Sequence, residues 1–191
     1  HNMQANKLLQ KAGRGAAGPL AVPPHSTAAP LQPTKVSHAD VGPLFQPFKM
    51  GQFELEHRMV FPPLTRCRAT DSIPQIVMAE YYAQRSTKGG LVIAEATVVS
   101  PNGSGYPHTA GIWSTEQTNA WRPIVSAVKA KESIFFLQLW HGGRASHAVF
   151  QPEGSVVIGP SAIGITPKEG MVWTGKEMAE HPVPKALDIP G

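Results

Sequence analysis

Cysteine occurs once, at Cys67, in a chain of 191 residues. That excludes an internal disulfide framework and leaves no thiolate set for a metal cage. A reducing compartment fits this usage. Charge is also scarce: Lys and Arg number 17 against 13 Asp and Glu, a formal net charge of +4. The basic residues are scattered, with no Lys/Arg run and no aromatic interleaving, so no nucleic-acid partner is expected despite a pI of about 9.3. No apolar stretch approaches the roughly 18 residues of a membrane span, so a soluble chain with no membrane partner is expected. Acidic residues are missing altogether from residues 1–39, which are rich in Ala, Pro, Gly and Gln. Residues 1–42 are therefore expected to be a disordered extension. Lys7, Lys11 and Arg14 leave an organelle leader as the alternative, although serine is sparse. A cytoplasmic location is expected, with plastid and peroxisome open. The first residue is His1, and the native start is expected upstream of it.

Several catalytic patterns are absent too. Without a Gly-x-Ser-x-Gly elbow, His141-Gly142-Gly143 is weak support for an esterase oxyanion turn. Gly103-Ser104-Gly105 is a fragment of a dinucleotide fingerprint with His108 in place of the third glycine, so it reads as a loop. There is no His-Glu-x-x-His, and His141 with His147 lacks a third partner, so no metal site is expected. Cys67 lies between Arg66 and Arg68, which suits a lowered thiol pKa; an inert thiol at a strand end is the preferred reading.

What is present is an alternation of strands and helices. Leu44 to Phe53 holds short apolar pieces broken by Pro and Gly, predicting an entry turn or small hairpin. Apolar runs follow at Met59–Pro63, Leu91–Val99 and Ile134–Trp140, the first ended by two prolines that cannot donate ladder hydrogen bonds. Ser72 and Pro74 signal a helix start. Val77 with Tyr81, and Met78 with Tyr82, then share adjoining faces of one helix, which Lys88-Gly89-Gly90 closes. Ser114 with Gln117 forms a capping-box pattern, and Trp121, Ile124, Val125 and Val128 recur with helical period. Pro123 should kink this second helix or start its second part. Beyond His141, a hairpin over Gly154–Ile165 and an irregular stretch over Gly175–Gly191 are expected. Strands alternating with helices imply a parallel sheet with right-handed crossovers. The first strand ends in Pro-Pro-Leu-Thr and not in a glycine-rich turn, which favours an α/β barrel over a doubly wound sheet.

Two polar residues interrupt the apolar strands. Gln138 needs partners for both its carbonyl and its NH2 group. The edge of a flavin's pyrimidine ring suits it, and so does neighbouring backbone. Glu95 is a carboxylate in a run expected to be covered on both faces, for which a structural ion pair with an arginine is expected.

The segments Leu44 to Gly51, Pro63 to Arg66, Tyr82 to Leu91, Ala94 to Thr97, Gly105 to Pro107, Gly111 to Trp113 and Gln138 to Arg144 closely resemble the Old Yellow Enzyme family. The match is nearest to its 12-oxophytodienoate reductase branch and covers roughly residues 43–153, becoming poor after Trp173. The resemblance implies a (β/α)8 barrel of TIM type holding FMN, of which residues 43–191 would be the amino-terminal part, truncated after about three strands. It implies an NAD(P)H oxidoreductase of the ene-reductase type, with NADPH as hydride donor. Its substrates would be α,β-unsaturated carbonyl compounds such as 12-oxophytodienoate or related oxylipins. Pro63, Leu64, Thr65, Ala96 and Gln138 would contact FMN, with the Thr65 hydroxyl near its reactive edge; Tyr106 and Trp140 would line the substrate side. The family's carbonyl-holding histidine pair, or histidine with asparagine, its proton-donating tyrosine and its phosphate-binding loops fall on later strands, so no catalytic proton donor is assigned here. The alternative is a truncated, non-catalytic fragment or pseudoenzyme that binds other chains.

Overall fold

The computed structural model describes residues 41–153 and 155–188. The disordered extension or leader expected at the amino terminus falls almost wholly in 1–40, outside the described residues.

A 3-10 turn at Gly42–Phe45 leads into an antiparallel hairpin of β1 (Phe48–Met50) and β2 (Phe53–Leu55). Gly51, at φ +57, opens its two-residue connection, as the primed hairpin turns require. The barrel-type core is a parallel sheet in the order β3 (Val60–Phe61), β4 (Leu91–Val98), β5 (Ile134–Trp140). β3 is shorter than the run Met59–Pro63, because Pro62 and Pro63 have no N–H to offer the ladder.

Helix α1 (Val77–Ala83) starts later and stops earlier than the sequence signals imply. A 3-10 turn at Thr70–Ser72 occupies the expected start. At the other end the Ser86 hydroxyl donates to the Tyr82 carbonyl at 2.8 Å. Of the two pairs four apart, Met78 and Tyr82 are buried, whereas Val77 is exposed. Helix α2 (Thr115–Lys129) carries the full capping box: the Ser114 side chain accepts from Gln117 N–H, and the Gln117 side chain accepts from Ser114 N–H. It runs unbroken through Pro123. Ser114→Ala should lower stability by about 1 kcal/mol in urea unfolding, the usual worth of an N-cap.

The core lies between the sheet and these helices. Met78 and Tyr82 of α1 and Trp121, Ile124 and Val128 of α2 pack with Val92 and Ala94 of β4, while Phe61, Phe135 and Leu137 close the cluster. At the opposite ends of the strands, Gly89 stands at φ +63, its N–H donating to Glu132 O and its carbonyl accepting from Glu56 N–H. A Cβ there would run into the Glu56 side chain. Gly89→Ala is therefore expected to cost at least about 1 kcal/mol, read as a lower urea midpoint.

The carboxyl-terminal stretch departs from expectation. Residues 158–159 do not belong to a hairpin over Gly154–Ile165; β6 (Ile158–Gly159) pairs in parallel with β9 (Lys185–Ala186). The hairpin is formed later, by β7 (Val172–Trp173) and β8 (Met178–Ala179), so that its second strand falls within the stretch Gly175–Gly191 expected to be irregular. Pairings two residues long leave no periodicity to read.

Candidate functional site

Residues paired across a parallel ladder face the same side of the sheet. Ile93 pairs with Phe136 and Ala94 with Leu137, but the next pair is Ala96 with Gln138, so Glu95 is an extra residue in β4. A bulge of this kind reverses the alternation beyond it. Val92 and Ala94 face the helices; after the bulge Ala96 joins Ile93, Phe136 and Gln138 on the other face, which would be the inner face if such a sheet closed into a barrel. An unbroken strand would put Ala96 against the helices.

Glu95 is fully buried. Its Oε1 accepts from the Tyr82 hydroxyl at 3.1 Å, and its Oε2 accepts from the backbone N–H of Arg66 at 3.3 Å. The Glu95 N–H donates in turn to the Tyr82 oxygen at 2.9 Å. The expected ion pair with an arginine is thus replaced by a main-chain donor, since a peptide N–H satisfies the carboxylate without burying a second charge. The Arg66 guanidinium instead lies over the Tyr81 ring, 5.9 Å from its centroid. Burial pushes the Glu95 carboxyl above its usual range, offset in part by the Arg66 N–H, the Tyr82 hydroxyl and the Arg66 charge. Burial, then Glu95, pushes the Tyr82 hydroxyl up as well. Cys67 is raised for the same two reasons, against the pull of Arg68 and Arg66, in keeping with an inert thiol.

A stability slope follows. The native state holds the Glu95 proton at pH values where the unfolded chain has released it. Its contribution is therefore full below the ordinary value of 4.5 and is lost as pH rises from there through the raised native value. Urea unfolding at stepped pH should show wild type losing stability over that window relative to Glu95→Gln, which has no such proton.

Thr65 and Leu64 are exposed and Pro63 is half-buried, on the segment that leaves β3 and reaches Glu95 through Arg66. Neither the Thr65 hydroxyl nor the Gln138 amide hydrogen-bonds to another side chain or backbone group among the described residues. Gln138 is exposed, so of its two sequence readings the neighbouring-backbone one has no support here. Tyr106 and Trp140, from different elements, come together as a parallel stack with centroids 5.8 Å apart and planes at 2°. The loop carrying Tyr106 is tied to β4 by Val98 N–H on Ala110 O and Ile112 N–H on Val98 O.

Some supporting residues gave no signal in the sequence. Buried Ser146 donates to Ser104 O and accepts from Gln151 Nε2, and its carbonyl lies 3.0 Å from His181 Nδ1. These bonds join the loop before Tyr106 to the chain after β5; only their burial in the fold distinguishes these serines. His141 caps its own turn, its Nδ1 accepting from Gly143 N–H at 3.0 Å, which accounts for His141-Gly142-Gly143 without an oxyanion role. Behind the bulge a cavity of about 270 Å³ is lined by Arg66, Arg68, Tyr81, Arg85 and Glu95.

A small residue and an open amide side by side, a hydroxyl on the adjoining segment and an aromatic stack beyond them suit a flat heteroaromatic ring with a polar edge. Comparisons with known proteins identify the family. A model of the NADH:flavin oxidoreductase / NADH oxidase family matches residues 43–188, so the family match extends beyond roughly 43–153 and through the stretch after Trp173 where the sequence resemblance is poor. The chain is 50% identical over 145 residues to 12-oxophytodienoate reductase 7 of Oryza sativa subsp. japonica, covering 76% of this chain and 37% of that protein. It is 47% identical over 147 residues to 12-oxophytodienoate reductase 2 of Arabidopsis thaliana, covering 77% and 39%. Among solved structures, an old yellow enzyme homologue from Zymomonas mobilis superimposes with a TM-score of 0.70 at 41% identity, over 76% of this chain and 40% of that one. Morphinone reductase gives 0.69 at 39% identity, over 76% and 39%. The chain thus spans about 40% of the length of these relatives, and its strand–helix–strand–helix–strand order is part of their α/β barrel. With match and fold in agreement, the chain belongs to the NADH:flavin oxidoreductase / NADH oxidase family, among the Old Yellow Enzyme homologues.

Proposed function

We propose that this chain supplies the flavin-ring cradle of an FMN-dependent NAD(P)H oxidoreductase of the ene-reductase type, with NADPH as hydride donor. Its substrates are α,β-unsaturated carbonyl compounds, 12-oxophytodienoate and related oxylipins being the class suggested by the relatives' names. The observation that carries this reading is the register pair Ala96 and Gln138, set side by side on the inner face by the Glu95 bulge.

FMN, when bound, supplies hydride transfer between the nicotinamide and the substrate's β-carbon. The chain's own residues position and tune. The Gln138 amide offers one acceptor and two donors to a ring edge that alternates the two. The Ala96 methyl leaves room for a ring to approach β4. The Thr65 hydroxyl would donate to an acceptor on the ring and so would favour the ring's more electron-rich state. Pro63 and Leu64 give that segment an apolar surface, and the stacked Tyr106 and Trp140 would line the substrate side. None of these residues is placed as the proton donor.

The test is to purify the chain with added FMN, look for co-eluting flavin absorbance, and follow NADPH oxidation with 2-cyclohexenone. Bound flavin with enone-dependent oxidation supports the full reading; bound flavin without it keeps the cradle and removes turnover; no bound flavin removes both. A specific observation also favours the second reading, a non-catalytic chain that binds other chains. Leu139 is 66% exposed on β5, an edge of the sheet, and Val60 is 42% exposed on β3, the other edge, surfaces suited to strand pairing. Mixed-size complexes in size-exclusion chromatography, with no flavin, are its expected result.

A further inference from the structure

We infer that Glu95 and Tyr82 are positioning residues that hold Thr65 at a fixed place relative to Ala96, so that one buried pair sets both flavin-facing segments. The inference rests on the cradle reading above and concerns what holds the cradle in shape.

Glu95 is joined to both segments at once. Its backbone forms the bulge that turns the adjacent Ala96 into register with Gln138. Its carboxylate accepts the N–H of Arg66, the residue immediately after Thr65. The segment Pro63–Thr65 cannot be held by sheet pairing, because β3 ends at Phe61 and the two prolines that follow cannot donate. The Arg66 N–H bond is thus the nearest tether on the far side of Thr65. The bulge also frees the Glu95 N–H from the ladder, and the Tyr82 hydroxyl satisfies it while donating to the same residue's carboxylate. One hydroxyl therefore fixes both the backbone and the side-chain end of Glu95.

Tyr82 is in turn immobilised. It is 1% exposed, with the rings of Phe135, Phe61 and Trp121 at centroid distances of 5.5, 6.4 and 6.4 Å. Rigid support of this kind is what a tuned site needs from the layer behind it. It also explains why a carboxylate stands in a strand with no other charged residue: a hydrophobic residue there would leave the Arg66 N–H without its acceptor.

Amide hydrogen exchange on the unliganded chain tests the tether. The Arg66 amide should be protected in wild type although its side chain is exposed. Protection should fall on the order of tenfold in Tyr82→Phe, which keeps the aromatic packing, and further in Glu95→Ala. Glu95→Gln retains one acceptor and should keep part of it. In FMN-loaded protein, Tyr82→Phe should move the flavin midpoint potential in the same direction as Thr65→Ala, and the double variant should add little to Thr65→Ala alone. An unprotected Arg66 amide in wild type overturns the inference. So does a Tyr82→Phe protein that loses thermal stability with Arg66 protection and flavin potential unchanged, the mark of a purely structural pair. If wild type takes up no FMN, the cradle reading fails, while the Arg66 exchange series still decides whether Glu95 and Tyr82 hold the segment.

Discussion

Gln138→Leu is expected to weaken FMN binding on the order of tenfold to a hundredfold while leaving the fold intact. The side chain is exposed on the inner face, so leucine meets no steric obstacle and leaves no internal partner behind. What it removes is the amide's donor and acceptor. A ring edge seated against leucine would keep its own polar groups without partners, at about 1–3 kcal/mol for each one left unsatisfied. Titration of flavin fluorescence in wild type and variant reads the effect. Urea unfolding provides the control, with midpoints expected to agree within about 0.5 kcal/mol, as for ordinary surface changes. Equal flavin affinities would remove Gln138 from the site.

The largest effect on stability is expected at Trp121. It is 3% exposed, lies against Tyr82 and Phe135 with centroids 6.4 and 6.2 Å away, and donates its indole N–H to Gly111 O at 3.0 Å. Trp121→Ala should cost about 3–5 kcal/mol. That is a large part of the roughly 5–15 kcal/mol by which domains are usually stable. The damage should reach the site, because Gly111 lies in the loop that joins Tyr106 to β4. Loss of near-UV dichroism and of the cooperative urea transition would be the readout. Trp121→Phe, which keeps a ring and loses the hydrogen bond, should remain folded with a smaller loss.

How legible all this was depended on how local each cause is. The Ser114–Gln117 capping box is a pattern four residues long, and the structure reproduces both its bonds. The β4 and β5 runs, long and apolar, appear almost as read. Glu95 was visible as an exception but not as a bulge, since its partners Tyr82 and Arg66 lie 13 and 29 residues away. The same distance explains the mistaken ion pair: sequence shows side chains, and the donor was a peptide N–H. The site residues came from likeness to a family and not from composition. The structure then supplied what likeness could not, the reason Ala96 shares a face with Gln138. The paired segments after His141 stayed hidden because each is only two residues long.

On the proposed reading, the inner face of β3, β4 and β5 receives a flavin ring. Its most direct test is titration of the isotopically labelled chain with FMN, followed by backbone amide NMR. Saturable shifts are expected at the amides of Leu64, Thr65, Ala96 and Gln138, with little change at residues lining the arginine-rich cavity behind the bulge. Shifts confined to Arg68 and Arg85 in that cavity, with those four amides unmoved, would contradict it.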